Sequence, residues 1–292
     1  CKINPYKIED NLDWTFSNGS KIEKIDYNGY VYDLTTVETH KFFANNILAK
    51  NTDSVFISPI TSKDECLNLE NYLNDELAKW SKDKGSVIDF KLKAEKIFKR
   101  LMFKPKASDR KKSGKKKYAG HLVWKEGKDK NELSYMGLEL KRSDNSIVTK
   151  NCLKYFLETV LIDGDIYKAA YFVKKQYKLI KSGNISIYDI SIPKEIRKLN
   201  YNSKNSWIDG IDTAKRIYKH QIEEGTKPRL VYLKHGVICI DDNFPVEKIA
   251  DLIDYDKMAD KVIKSKMESY LWAVGLEWNT IVKGQKLITD FF

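Results

Sequence analysis

The sequence predicts an α+β fold: a small all-β segment, then a mixed region of strands and helix, then a mainly α-helical remainder. Three observations carry that expectation. The first ~50 residues mix aromatic and β-branched side chains with Asn and Gly, as in Asp26-Tyr27-Asn28-Gly29-Tyr30-Val31-Tyr32, which is the composition of short strands joined by tight turns. Near Asp144 the hydrophobic repeat changes from about 2 to about 3.6 residues. A length of 292 residues with 42% hydrophobic content is enough for roughly two packed domains.

The elements follow in order. Val55-Phe56-Ile57 reads as a short apolar strand, and Asp64 to Trp80 as a helix with Leu69, Leu73 and Leu77 four residues apart. Val87 to Phe98 returns to an extended pattern. From Lys104 to Lys117 eight basic residues face one acid, Asp109, with Pro105, Ser113 and Gly114 between them, so a charged loop that cannot pack against a core is expected. Tyr118 to Trp124 and Leu133 to Leu140 read as strands around a turn at Gly127. Three helical stripes follow. They are Leu153, Phe156, Leu157, Val160 and Leu161; Trp207, Ile208, Ile211, Ala214 and Tyr218; and Ile263, Met267, Tyr270, Leu271 and Val274. Between the second and third, Leu230 to Ile240 forms a strand pair turned at Gly236. No internal repeat is present.

Fifty-two Lys and Arg against 41 Asp and Glu give a net charge of +11, which suits a polyanionic partner because clustered cations displace counterions from phosphates. The four cysteines, Cys1, Cys66, Cys152 and Cys239, lie far apart without a CxxC pair, and only four histidines accompany them. Neither a zinc site nor a disulfide framework is indicated. No apolar run approaches the ~20 residues of a membrane span, and no leader is visible, so a soluble cytoplasmic protein is expected. A chain that starts at Cys is expected to be the downstream part of something longer.

The segment Val31-Tyr32-Asp33-Leu34, His40-Lys41-Phe42-Phe43-Ala44-Asn45 and Lys50-Asn51-Thr52 resembles the C-terminal splicing blocks of inteins. The resemblance implies that Asn51 cyclises and cleaves the following bond, with Thr52 as the nucleophile that has taken the upstream extein. It implies that His40 assists by proton transfer and that Asp33 positions the branched intermediate. Lys50 departs from the family's penultimate histidine, which places more of the cyclisation on His40. An ordinary β-hairpin with an Asn-Thr turn is the alternative. The N-terminal splicing blocks are absent, so the chain is expected not to splice by itself and to be either a truncated copy or a partner for trans-splicing.

From Thr52 onward the sequence resembles family B DNA polymerases. Thr52-Asp53-Ser54 is similar to the latter part of their Asp-Thr-Asp-Ser motif, and the resemblance makes Asp53 a ligand of two Mg2+ ions, completed by an upstream part that carries the exonuclease, fingers and first palm carboxylate. Glu95 resembles the nearby palm acid, a plain surface glutamate being the alternative. Lys115-Lys116-Lys117-Tyr118 is similar to the lysine-rich motif that touches primer-template, with lysines on phosphates and the ring on a sugar or base edge. Gly137 to Asp144 is similar to the palm-to-thumb segment, where Arg142 would meet DNA, or would pair with Asp144 where the next helix begins. Asp212-Thr213-Ala214-Lys215-Arg216 resembles a thumb helix that tracks the duplex, a solvated face being the other reading of Lys215 and Arg216.

The last nine residues, Gly284 to Phe292, resemble a sliding-clamp (PCNA-type) binding peptide, with Gln285, Ile288, Phe291 and Phe292 as the plug. The implied organisation is a Hint-like intein segment over 1–51, the C-terminal part of a polymerase palm over 52–144, a thumb over 145–283 and a clamp-binding tail over 284–292. Primer-template DNA, dNTP, a sliding clamp and the N-terminal parts of polymerase and intein are the implied partners. A non-catalytic DNA-binding and clamp-tethering module is the alternative.

Overall fold

The computed structural model describes residues 41–44, 47–50, 56–58, 62–83, 85, 91–196 and 205–283, and the chain divides into two compact units, Cys1–Glu95 and Lys96–Phe292. In the first unit, β1 (Lys41–Ala44) and β2 (Ile47–Lys50) form an antiparallel hairpin with Lys41 opposite Lys50 and Ala44 opposite Ile47. The long helix α1 (Lys63–Asp83) starts at Ser62, whose hydroxyl accepts a hydrogen bond from the Glu65 amide at 3.1 Å. Ser and Glu three apart are a helix-start signature, because Ser satisfies an amide that the helix cannot. Leu69, Leu73 and Leu77 are half-buried on one side of α1.

Polar side chains on α1 hold the segment that follows. The Asn74 amide donates to the Leu92 carbonyl (3.0 Å) and accepts from the Leu92 amide (2.8 Å), while Glu70 accepts from the Ala94 amide (2.9 Å). Leu92 and Ala94 therefore spend backbone groups on helix side chains, and of the extended stretch expected from Val87 to Phe98 the described residues 91–95 are not paired as a strand while Lys96 to Phe98 are. The strand expected at Val55–Ile57 also differs. Phe56 to Ser58 has no regular structure, with Phe56 44% and Ile57 38% exposed, and Val55 lies outside the described residues. Three residues stand at the short limit of strand length, and exposed side chains add little burial to hold them.

The second unit opens with an antiparallel sheet in the order β3 (Lys96–Lys106), β4 (Asp109–Lys125) and β5 (Lys128–Met136). Glu126 (φ 46°) and Gly127 (φ 88°) make the second turn, with the positive φ pair that matches strand twist. The charged loop expected from Lys104 to Lys117 is corrected here: these residues are the distal half of the β3–β4 hairpin. Charge density argues against burying a face. It says nothing against an extended backbone whose amides pair with a neighbouring strand.

Helices then build the core. Ser146 caps α2 (Ile147–Glu158) by accepting from the Thr149 amide, and Leu153, Phe156 and Leu157 are wholly buried. A π-helical turn at Thr159–Asp163 continues α2 and ends at Gly164, whose φ of 84° reverses the chain. Asp165 caps α3 (Ile166–Lys181), followed by the short α4 (Ile187–Ile190) and β6 (Ile192–Pro193). Asn205 caps α5 (Ser206–Tyr218), which packs on β8 (Val237–Ile240) of the sheet β6-β7-β8, β7 being Arg229–Tyr232. The approach is close, since a methyl group on Gly210 would lie 2.8 Å from the Cys239 sulfur. Gly236, at φ 90°, turns β7 into β8. Then α6 (Tyr255–Ala259), a π-helical turn at Asp260–Lys264, α7 (Ser265–Ala273) and α8 (Trp278–Lys283) complete the unit.

The three expected stripes are all on helices, and their central residues lie in one core. Helix α3 was not anticipated: its inner face uses Ala169, Ala170, Val173, Tyr177 and Ile180, and two alanines and a tyrosine blur the apolar pattern. Residue 144 lies inside the second unit, two positions before the Ser146 cap. Among the described residues no helix is long and apolar enough to cross a membrane.

Candidate nucleic-acid interface

Lysines concentrate on a distortion in β4. Tyr118 faces Phe103, yet the next pair towards the hairpin tip joins Ser113 to Pro105, so β4 spends five steps where β3 spends two. The four residues Gly114 to Lys117 stand where β3 has only Lys104 and bulge out of the ladder, with Lys116 in the left-handed region at φ 54°. Gly137, just past β5, sits directly against this bulge: a Cβ there would lie 2.3 Å from the Lys116 carbonyl oxygen, and its φ is 64°. Glycine is required at 137 for both reasons. The lysine-rich segment and the Gly137–Asp144 segment, separate in sequence, are thereby in backbone contact. Tyr118 packs edge-on to Phe98, with ring centroids 6.2 Å apart, so its ring is supported from within the sheet.

Beneath the bulge lies a polar node that the sequence did not reveal. The Glu139 carboxylate accepts hydrogen bonds from the Lys104 ammonium and the Tyr270 hydroxyl, and the Lys104 and Glu139 side chains are each only 13% exposed. The Lys104 Nζ also lies 4.8 Å from the Tyr270 ring centre. Burial opposes the charge on Glu139, but the Lys104 and Tyr270 hydrogen bonds outweigh it and hold the carboxyl below the usual glutamate range. Burial, reinforced by the neighbouring carboxylate, pushes the Tyr270 phenol far up. Lys117 and Lys266 stand close enough to repel the Lys104 charge, so the half-buried Glu139 carboxylate pairs with one of three neighbouring cations. The node joins β3, the turn after β5, and α7.

A second tether acts at the hairpin tip. The Arg110 guanidinium stacks 3.8 Å over the Trp272 ring and pairs with Glu277 at 2.5 Å. At the other end of the sheet, Arg100 donates to the carbonyls of Leu161 (2.9 Å) and Ile162 (3.0 Å), which the end of a helix leaves without partners. Neither arginine was singled out in the sequence. A signal existed for Glu139, the acid inside the Gly137–Asp144 motif, but none for Lys104, one lysine among many.

Arg142 is held in a two-point ion pair with Asp144, Nε to Oδ1 at 2.9 Å and Nη2 to Oδ2 at 2.5 Å, and the arginine hydrogen bonds hold the Asp144 carboxyl below its ordinary value. The helix cap is Ser146, not Asp144. Lys116 is exposed, Lys117 and Tyr118 are half-buried, and the Lys115 side chain lies outside the described set. Lys215 and Arg216 are exposed in the last turn of α5, where cations suit the helix dipole. They belong to the helix on β8 and not to the hairpin.

Glu95 is exposed at the end of the first unit. Among the described residues no group of three or more His, Cys, Asp or Glu could hold a metal ion, and one exposed carboxylate is too few for a two-metal site. Asp33, His40, Asn51, Thr52 and Asp53 lie outside the described residues, as do Gln285, Ile288, Phe291 and Phe292.

The fold and site define an α+β protein with a cationic hairpin mounted on a helical core. The chain matches DNA polymerase family B over residues 27–274, most of its length, and it belongs to that family. It is similar to the DNA polymerase of Thermococcus litoralis, 31% identical over 183 residues, which cover 61% of this chain and 9% of that protein. It is similar to the DNA polymerase of Methanocaldococcus jannaschii, 24% identical over 331 aligned residues, covering 99% of this chain and 20% of that protein. The chain thus spans a fifth or less of the length of these relatives. A shorter match, 66% identical over 45 residues, covers 15% of this chain and 4% of the probable translation initiation factor IF-2 of Pyrococcus furiosus.

Proposed function

We propose that the chain is the C-terminal part of a DNA-directed DNA polymerase, and that residues 52–283 supply the end of the palm and the thumb, gripping primer-template DNA through the lysine bulge. The observation that carries this reading is the contact of Gly137 with the Lys116 carbonyl, which joins the two polymerase-like motifs into one surface above the buried Lys104–Glu139–Tyr270 node. A bulge can aim consecutive side chains at one ligand where a flat strand would alternate them. Lys116 and Lys117 would neutralise backbone phosphates and Tyr118 would pack on a sugar edge. Lys215 and Arg216 would extend the contact along the duplex. The tail residues Gln285, Ile288, Phe291 and Phe292 would bind a sliding clamp.

Catalysis requires carboxylates that this chain holds only in part. Asp53, with Glu95 as a weaker candidate, would hold Mg2+ together with carboxylates of the upstream part, the metals supplying charge stabilisation to nucleotidyl transfer. Alone, the chain would bind DNA without extending it.

Residues 1–51 are proposed to be an intein's C-terminal segment. What supports this is the order of the residues that resemble splicing blocks, Asp33, His40 and Asn51-Thr52, directly ahead of the polymerase-like Asp53-Ser54. In the proposed step the Asn51 side-chain nitrogen attacks its own backbone carbonyl. A succinimide forms and the bond to Thr52 breaks, with His40 transferring the proton to the departing amine.

The test mixes the chain with an N-terminal partner carrying the missing splicing blocks and upstream polymerase. Mass spectrometry should show release of residues 1–51 and a new peptide bond at Thr52, and the joined product should extend a primer. Asn51→Ala should block release. A joined product that binds primer-template but never extends it would overturn the catalytic reading in favour of a DNA-binding and clamp-tethering module.

A further inference from the structure

Helix α3 carries five lysines, Lys168, Lys174, Lys175, Lys178 and Lys181, and no acid in its 16 residues. Its inner face is committed to the core through Ala169, Val173 and Ile180, each wholly buried. The opposite face holds Tyr167, 58% exposed, and Tyr171, 68% exposed. Tyr167, Tyr171, Lys174 and Lys178 follow one another at spacings of four, three and four, which places them in a single stripe along the helix. Lys168 lies 3.9 Å from Asp163, and Lys181 pairs with Asp256 at 3.1 Å. Those acids, with Asp165 at the helix start, sit at the two ends. In between, Lys174, Lys175 and Lys178 form no ion pair among the described residues.

We propose that this outward face of α3 is a stacking platform for single-stranded nucleic acid. Two rings on successive turns present flat apolar surface that a partner with accessible π-faces would cover well, and the lysines that follow them along the stripe match a phosphate chain running along the helix. A single strand supplies both, since its bases are free to swing onto a ring while its phosphates follow the lysines. In a duplex the bases remain stacked on each other and only the charge could be satisfied. An anionic membrane is the less suitable partner, because the exposed face offers tyrosine and lysine where burial in lipid calls for Leu, Phe or Trp. The platform is independent of the β4 bulge and of any role the bulge plays.

The experiment uses the full chain and the anisotropy of a fluorescein-labelled oligothymidine and, separately, of a labelled hairpin duplex. Replacing both rings, Tyr167→Ala/Tyr171→Ala, should weaken oligothymidine binding by roughly tenfold or more. Duplex affinity and the melting temperature should stay at wild-type values, since neither ring is in the core. Tyr167→Phe/Tyr171→Phe should retain binding, because stacking needs the ring and not the hydroxyl. Lys174→Glu/Lys178→Glu should lower the salt dependence of oligothymidine binding by about two phosphate contacts. The proposal is overturned if the alanine pair binds oligothymidine as the wild type does. Equal loss of single-strand and duplex binding, which marks generic charge, overturns it too. So does an alanine pair that loses only its attachment to phosphatidylserine vesicles, which would make the face a membrane contact. Lys116→Ala/Lys117→Ala, measured on the duplex, reports on the bulge separately.

Discussion

Phe156 on α2 and Lys116 on β4 stand in regions that keep their shape by different means. Around Phe156 the backbone is regular because the side chains are: Leu153, Phe156 and Leu157 repeat at helical spacing and vanish from solvent together. Lys116 itself faces water while Lys117 and Tyr118 are half-buried, and the shape comes from strand pairing, from a glycine that lets two backbones touch, and from the half-buried Glu139 carboxylate. A chain can therefore carry a dense row of cations in a defined geometry without burying them. The requirement is that a few residues nearby are fixed tightly, and those few are where the hairpin is most vulnerable.

Perturbing each region should show this difference. The largest effect belongs to the core, where Phe156→Ala should lower unfolding free energy by about 3–5 kcal/mol, read from denaturant titration, through lost burial and the cavity left behind. Next comes the node. Glu139→Ala strands the half-buried Lys104 ammonium and should cost about 3 kcal/mol, whereas adding Lys104→Met should recover much of the loss, because the penalty lies mainly in an unpaired charge. If the double variant is as unstable as the sum of its parts, the node is not one unit. The smallest of the stability effects is Ser146→Ala at the α2 cap, about 1 kcal/mol.

The node also gives a pH signature with a definite sign. The Glu139 carboxyl is depressed in the folded chain, so its contribution is fully present above the ordinary value of 4.5 and is lost as pH falls below that value and through the folded one. Wild-type stability should therefore drop on acidification in that window, and Glu139→Gln should drop less steeply there. Parallel acid limbs for the two proteins would remove Glu139 from the account.

The two regions are unequally legible in the sequence, for a physical reason. Periodic burial leaves a trace in residue order, so the helices bearing Leu153, Ile211 and Met267 were legible along with the turns at Gly127 and Gly236. Strand pairing leaves a trace only where one face is buried. Lys104 to Lys117 is polar on both sides, so its residue order alone predicts a loop. The lysine-rich segment and the Gly137–Asp144 segment were each legible as motifs, but their contact was not, since the bulge that produces it depends on register. Tyr270 lies 131 residues from Glu139, and Trp272 lies 162 residues from Arg110, with no local pattern to announce either pair.

The central claim is that the β4 bulge holds the phosphates of primer-template DNA. It is tested most directly by the slope of log affinity against log salt for the full chain on a primer-template duplex, compared between wild type and Lys116→Ala/Lys117→Ala. Two lost phosphate contacts should reduce the slope by about two and weaken binding across all sequences alike, with stability unchanged. An identical slope in the two proteins would contradict the claim and place the DNA elsewhere on the chain.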